Sequence, residues 1–305
     1  MNGKMLRRAM LDFLDEENVD ALYASTRRVW ESLDHAASIF CRETGYLKKS
    51  VQITTIAAAQ TYDLPPDYIR PAMQNRQGRY IAKYTDSDGN VFFPILSSHE
   101  RIYKANLTDS QDSPYRFAIR DKQSVSDALY GIATATADPA TGDTVTALVD
   151  STATFSSDSV RARDTVHNVT DQSDGMVISV ATESTVWTAV FEGTTNAWDV
   201  GDSYVIQPAA EFELVLDAPS ESSGDVFELY YVCMPEPVYH DLGMWRFPQR
   251  VCRAIAQGAA SLFKGVKREY KDASSLGGLF SAEVSAFRRE IAANRLQQGD
   301  YRKRR

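Results

Sequence analysis

The sequence predicts an α+β protein: helices at both ends, an antiparallel β-rich middle, and an all-β segment set into that middle. Three observations carry the prediction. Apolar residues recur at three- and four-residue steps only near the termini, and at a step of two between them. The charge balance also changes abruptly along the chain. From 133 to 208 eleven acidic residues face two basic ones, Arg161 and Arg163, so that stretch carries −9; the remainder holds 31 basic and 30 acidic residues. Such a contrast predicts two domains. One is a discontinuous host, 1–131 plus 209–305. The other is an inserted, acidic, threonine-rich β domain at 132–208.

A short helix over Leu6 to Leu14 is expected first. A stronger one spans Val19 to Arg42, where Val19, Leu22, Tyr23, Val29, Trp30, Leu33, Ala37 and Phe40 draw one apolar stripe that Gly45 closes. The period then drops. Val51–Ile56 alternates as a half-buried strand, and Gln60–Ile69 reads as a strand ending in Pro65-Pro66, which cannot continue a ladder. Arg79–Tyr84 and Asn90–Ile95 flank Asp86-Ser87-Asp88-Gly89, a hairpin signal. Tyr115–Ile119 is a further strand.

In the insert, short alternating runs appear at Thr144–Val149, Asp164–Val169, Met176–Thr182, Val186–Phe191 and Tyr204–Ile206. Turns separate them at a spacing of about ten residues, which predicts a small antiparallel sandwich or barrel. The host resumes with Glu211–Leu216 and Val226–Val232, expected to pair as a hairpin in one sheet. Pro248 opens a helix carrying Val251, Ile255, Ala259, Leu262 and Val266. Gly277-Gly278 is expected to break the next, which restarts near Ser281. The last ten residues, Leu296 to Arg305, are almost without apolar content and are expected to be disordered in the free protein.

The search for chemistry returns little. Cys41, Cys233 and Cys252 share no metal or disulfide spacing and read as small buried hydrophobes. His35, His99, His167 and His240 have no ligand-spaced partners. Asp86-Ser87-Asp88-Gly89-Asn90 resembles the opening of a calcium loop, but glycine is absent from the sixth position and glutamate from the twelfth, where Val91 and Ser97 stand. The chain has no nucleophile elbow, phosphate loop, dinucleotide fingerprint or zinc-protease motif. The expectation is a protein with no catalytic centre, cofactor or metal. With no signal peptide and no apolar run of about 18 residues, it is expected to be made and kept in a cytoplasm until assembly.

The host resembles the adaptor proteins that extend a tailed-phage portal ring toward the tail. The residues that carry the resemblance are Val51–Ile56 with Gln60-Thr61-Tyr62-Asp63-Leu64-Pro65-Pro66-Asp67-Tyr68-Ile69, then Pro114-Tyr115-Arg116-Phe117-Ala118-Ile119. They continue in Phe212–Pro219, Leu229–Val232, Met234-Pro235-Glu236-Pro237 and the alanine-rich Cys252–Ala260. They span about 1–131 and 209–295, in the family's order. The insert is similar to small β modules of phage virion proteins, with Trp198-Asp199-Val200-Gly201-Asp202 as a strand entry.

The resemblance implies a virion protein: a head-to-tail ring of about twelve copies beneath the portal, with DNA passing through its channel. Its partners would be the portal, downstream tail or nozzle proteins, tail fibres through the inserted domain, and DNA in transient, non-specific contact. An alternative is another particle component: a tail-tube, fibre-attachment or capsid-decoration protein. The basic end, including Arg295, Arg302, Lys303, Arg304 and Arg305, admits three readings. It is a solvated tail, a phosphate contact, or a segment that docks on an acidic protein groove, which the resemblance makes the portal.

Overall fold

The computed structural model describes residues 1–15, 26–72, 81–105, 114–122, 127–137, 145–221, 223–240, 245 and 247–303, with residues 26, 103–105 and 294–303 as backbone alone. The fold is α+β, as expected. The chain divides into two compact units, Met1–Thr44 with Ser126–Pro208 and Met234–Arg305, and Gly45–Val125 with Ala209–Cys233. This is not the expected division, because the acidic segment falls in one unit with the terminal helices. The strands of the expected host make up the other.

In the first unit, α1 (Gly3–Leu14), α2 (Thr26–Thr44), α4 (Gln249–Val266) and α5 (Tyr270–Lys303) are the helices. Asn2 caps α1 by accepting the Met5 amide at 3.0 Å, and Asp15 ends it in the left-handed region. The apolar stripe of α2 is buried at Val29, Trp30, Leu33, Ala37 and Phe40, as its spacing predicts. The start predicted at Val19 lies outside the described residues. Phe40 meets Phe247 and Phe287 with ring centroids 5.9 and 5.4 Å apart.

Two expectations for the C-terminus are corrected. Gly277-Gly278 does not break the helix, since α5 runs unbroken from Tyr270 to Lys303. Glycine weakens a helix by about 1 kcal/mol without forbidding it. Here small residues also let α5 lie close to α4: a Cβ at Gly277 would sit 3.0 Å from Ser261 Oγ, and one at Gly258 3.0 Å from the Phe280 ring. The backbone of the terminal segment is likewise helical through Lys303 rather than disordered.

The acidic segment of this unit forms six antiparallel strands: β8 (Leu129–Ile132), β9 (Val145–Val149), β10 (Thr165–Asn168), β11 (Ser173–Thr182), β12 (Thr185–Phe191) and β13 (Ser203–Gln207). Their order is β8-β13-β10-β11-β12-β9. After β8 the chain runs along β9 and closes the sheet on itself, with the Thr134 amide donating to Val149 O at 2.7 Å and Thr146 Oγ1 to Ala137 O. The interior holds Leu148, Phe155, Val166, Val177, Val186, Trp198, Tyr204 and Ile206. Five of the strands match the alternating runs. The sixth, β8, begins before the expected boundary at 132, so Leu129 to Gly131 belong to this sheet.

The second unit is a sandwich. One sheet has the order β1-β15-β4-β5, with β3 also on β15, from β1 (Lys48–Thr54), β3 (Tyr68–Pro71), β4 (Ala82–Thr85), β5 (Val91–Phe92) and β15 (Val226–Cys233). The other has the order β2-β14-β7-β6, from β2 (Thr61–Asp63), β6 (Ile95–Leu96), β7 (Arg116–Asp121) and β14 (Phe212–Leu216). A short helix, α3 (His99–Ala105), which no periodicity announced, follows β6. Tyr62, Leu64, Phe117, Leu214 and Leu216 from one sheet share a core with Ile53, Tyr84, Phe227, Leu229 and Tyr231 from the other.

The expected hairpin of β14 with β15 is therefore wrong: the two strands lie in different sheets, so the host is built on two sheets rather than one. Leu214, Val215 and Leu216 are all buried, which a strand with one wet face would not allow. The hairpin at Asp86–Gly89 is present. Tyr84 pairs with Phe92 across it, Gly89 takes φ +85°, and Asp86 O accepts the Gly89 amide.

Candidate interaction surfaces

Among the described residues, no group of three or more His, Cys, Asp or Glu could hold a metal ion, and no helix is long and apolar enough to cross a membrane. The residues weighed for chemistry have structural places. Cys41, Cys233 and Cys252 are buried and form no disulfide among the described residues. His99 Nε2 lies 2.8 Å from Arg120 Nη1, and His167 Nδ1 2.7 Å from Asp174. In the hairpin, Asp86 accepts the amide of Asn90 at 2.7 Å and its side-chain nitrogen at 2.8 Å. Those hydrogen bonds hold the Asp86 carboxyl below its ordinary value, the bond from the Asn90 side chain contributing most. Asp225 finishes the turn, accepting Tyr84 Oη at 2.6 Å and the Ser87 amide at 2.8 Å. Burial first, and that bond second, push the Tyr84 hydroxyl up to about 12. The carboxylates that hinted at calcium thus act as acceptors for a turn.

Three surfaces stand out instead. The first is apolar and lies in the sandwich unit. Val91, Phe92, Phe93, Ile95 and Leu96 are all exposed, from 36% at Phe92 to 68% at Ile95. Tyr115, whose carbonyl accepts the Ile95 amide at 3.0 Å, is 73% exposed. β5 and β6 are the end strands of their sheets, and Pro94 between them has no N–H to donate. Alternation could not reveal this strip, because the run is apolar at both parities and only one parity fits in a core. The signal was that very lack of polar residues.

The second surface is basic. Of the residues expected to bind a portal, Arg295, Arg302 and Lys303 lie on the last turns of α5, with only their backbone described, while Arg304 and Arg305 lie outside the described residues. Closer to the bundle, the turn from α4 into α5 exposes Val266, Lys267, Arg268, Tyr270 and Lys271. Its acids, Glu269 and Asp272, are both drawn to Lys264 at 3.4 Å, leaving the other cations outward. Beside α1 and α5, Arg250, Arg253, Gln257, Phe13 and Glu283 line an open cleft of about 420 Å³, and Arg250 pairs there with Glu283.

The third surface is acidic. Three turns of the six-stranded sheet meet: the Asp150 amide bonds Ser184 O, the Ser157 amide bonds Glu183, and the Gly201 amide bonds Ala133 O beside Thr134, whose hydroxyl accepts the Ser151 amide. They expose Asp158, Glu183, Asp199 and Val200. Inside them, Asp150 accepts Tyr204 Oη at 2.8 Å and both Thr152 donors. Burial alone would push its carboxyl up, but those hydrogen bonds together hold it below the usual range.

Sequence reasoning missed one anchor in this unit. Arg163, held at φ +83°, grips Asp34 of α2 with both terminal nitrogens, at 2.8 and 2.7 Å, and also donates to Pro235 O at 2.7 Å. Arg27 reaches Glu192 at 3.2 Å, and Phe191 packs on Tyr239 with ring centroids 6.0 Å apart. The acidic sheet is therefore fastened to the helices by an ion pair that is almost fully buried.

No protein-family model matches the chain, and no curated protein matches it either.

Proposed function

We propose that this chain is a structural virion protein, a ring-forming adaptor that lies beneath a phage portal, joins the capsid vertex to the tail and lets DNA pass. On this reading it has no catalytic centre, and it acts by presenting surfaces to copies of itself and to the portal. The observation that carries the reading is the apolar strip Val91–Leu96 with Tyr115. A monomer rarely exposes a contiguous run of this kind, and one built to be covered by another protein chain does.

The order of elements supports the same reading. In sequence, helices precede and follow the strands of a β sandwich that hold the motifs of the resemblance: Tyr62-Asp63-Leu64-Pro65-Pro66 leaves β2 for β3, and Arg116–Ile119 lies in β7. The acidic sheet, held in one unit with the terminal helices, is then the part available to tail fibres or to neighbouring copies. The basic end, Arg295 and Arg302–Arg305, is the segment that would dock on the portal.

Removing Leu296–Arg305 and measuring affinity for the portal protein of the same virus tests the last step. The expected result is a loss of binding that is larger at low salt. Unchanged affinity at physiological salt would sink the assignment of the basic end.

A further inference from the structure

The two charged surfaces of the helical unit are opposite in sign, and each exposes apolar residues beside its charges. The acidic segment carries −9 over 133–208. Residues 249–305 carry thirteen bases and five acids, or +8. Within one chain the surfaces do not satisfy each other: Arg253, Arg268 and Lys271 have no acidic partner among the described residues, and Lys267 rests over the Phe263 ring at 5.2 Å. On the other side, among the described residues, Asp158 and Glu183 accept only from Thr154 and Ser157, neutral donors.

We infer that the acidic turns of one copy, Asp158, Glu183, Asp199 and Val200, dock on the α4–α5 corner of a second copy, formed by Val266, Lys267, Arg268, Tyr270 and Lys271. The inference rests on the ring reading and names one of the contacts that would close the ring. The occupant is a second copy because the complementary charge is supplied by this chain and is left unused within it. The contact is heterologous: each copy offers one surface of each kind, so copies add head to tail and close when the rotation allows. Val266 at 71% and Tyr270 at 67% exposure, with Val200 at 67%, add apolar area to a contact that charge orients. DNA phosphates are the other chemistry that suits the corner, and they are an outcome of the test rather than the proposal.

Sedimentation velocity of the full chain over a concentration series reads the contact directly. Wild-type protein should self-associate at low ionic strength and weaken by about tenfold or more at high salt. The corner variant Lys267→Glu/Lys271→Glu and the turn variant Asp158→Lys/Glu183→Lys should each remain monomeric. Mixed in equal amounts they should associate again, because the reversed corner of one meets the reversed turns of the other. The neutral pair Lys267→Gln/Lys271→Gln should associate more weakly than wild type, which keeps the test readable if a reversed variant misfolds.

A wild type that stays monomeric at low salt would overturn the contact, as would variants that associate like wild type or a mixture no better than its components. A corner that binds single-stranded or duplex DNA while leaving self-association untouched by the substitutions would also overturn it. Reversed variants that still form rings on a portal would remove this contact and leave the adaptor reading standing. Failure of wild type to form rings on a portal would remove the adaptor reading, and the low-salt series would still report on the contact.

Discussion

Arg163 is one of only two bases in an acidic segment, and it is turned inward to a carboxylate 129 residues away. A buried bidentate pair gives geometric definition, and removing one partner leaves an uncompensated charge. Arg163→Met should therefore destabilise the unit by about 3–5 kcal/mol in denaturant unfolding, and adding Asp34→Leu should recover much of that loss. The rarity of bases in the segment was visible in the sequence, but the partner was not, because nothing local ties position 163 to position 34. Asp217 is the opposite case. Burial pushes its carboxyl above the ordinary range, against backbone hydrogen bonds around Arg116, and its Oδ1 has no partner among the described residues. Because the folded value lies above the unfolded one, its contribution is fully present below the ordinary carboxylate range and is lost as pH rises through the raised value. Asp217→Asn should melt higher than wild type at neutral pH, and the gap should close as pH falls toward about 4. A gap that is constant with pH would rule out this account of Asp217.

At the scale of elements, periodicity located nearly every strand and the packed part of every long helix, since spacing of apolar residues is a local property. It failed where tertiary context decides. Gly277-Gly278 looks like a break, yet close approach to α4 offsets the weak propensity. Glycines in open and in closed surroundings should respond differently to substitution. Gly278 has open space around it, so Gly278→Ala should stabilise α5 by about 0.5–1 kcal/mol in thermal unfolding. Gly175 is closed, because a Cβ there would lie 1.8 Å from Ala189 O on the paired strand. Gly175→Ala should separate β11 from β12 locally and destabilise by more than about 2 kcal/mol. The false β14–β15 hairpin has the same origin. Two alternating runs joined by a nine-residue loop suit a hairpin, but each strand pairs elsewhere, β15 with β1 and β14 with β7. Strand pairing is non-local, and a single sequence carries it weakly.

For the whole molecule, the composition boundary near 132 and 208 was legible because a shift in charge needs no partner to be seen. What the boundary separates was not. The acidic sheet takes in β8 from before 132, and it is fastened to α2 through Arg163 and Arg27. Deleting 133–208 with a short Gly-Ser link would thus leave Asp34 buried without its cation and β8 without β13. That deletion should lower the melting temperature of the remaining chain, while one from 127 to 208 with Asp34→Leu should recover part of the loss. The interaction surfaces were the least legible feature. Exposure of Val91–Leu96 depends on which sheet edge the run occupies, and the facing of the α4–α5 corner depends on a continuous α5. The central claim, assembly into a ring on a portal, is tested most directly by the light-scattering mass of the chain alone and with the portal protein of the same virus. The account predicts that portal-bound protein reaches the mass of a closed ring of about twelve copies. A chain that remains a monomer beside the portal, or forms a stable trimer without it, would contradict the account.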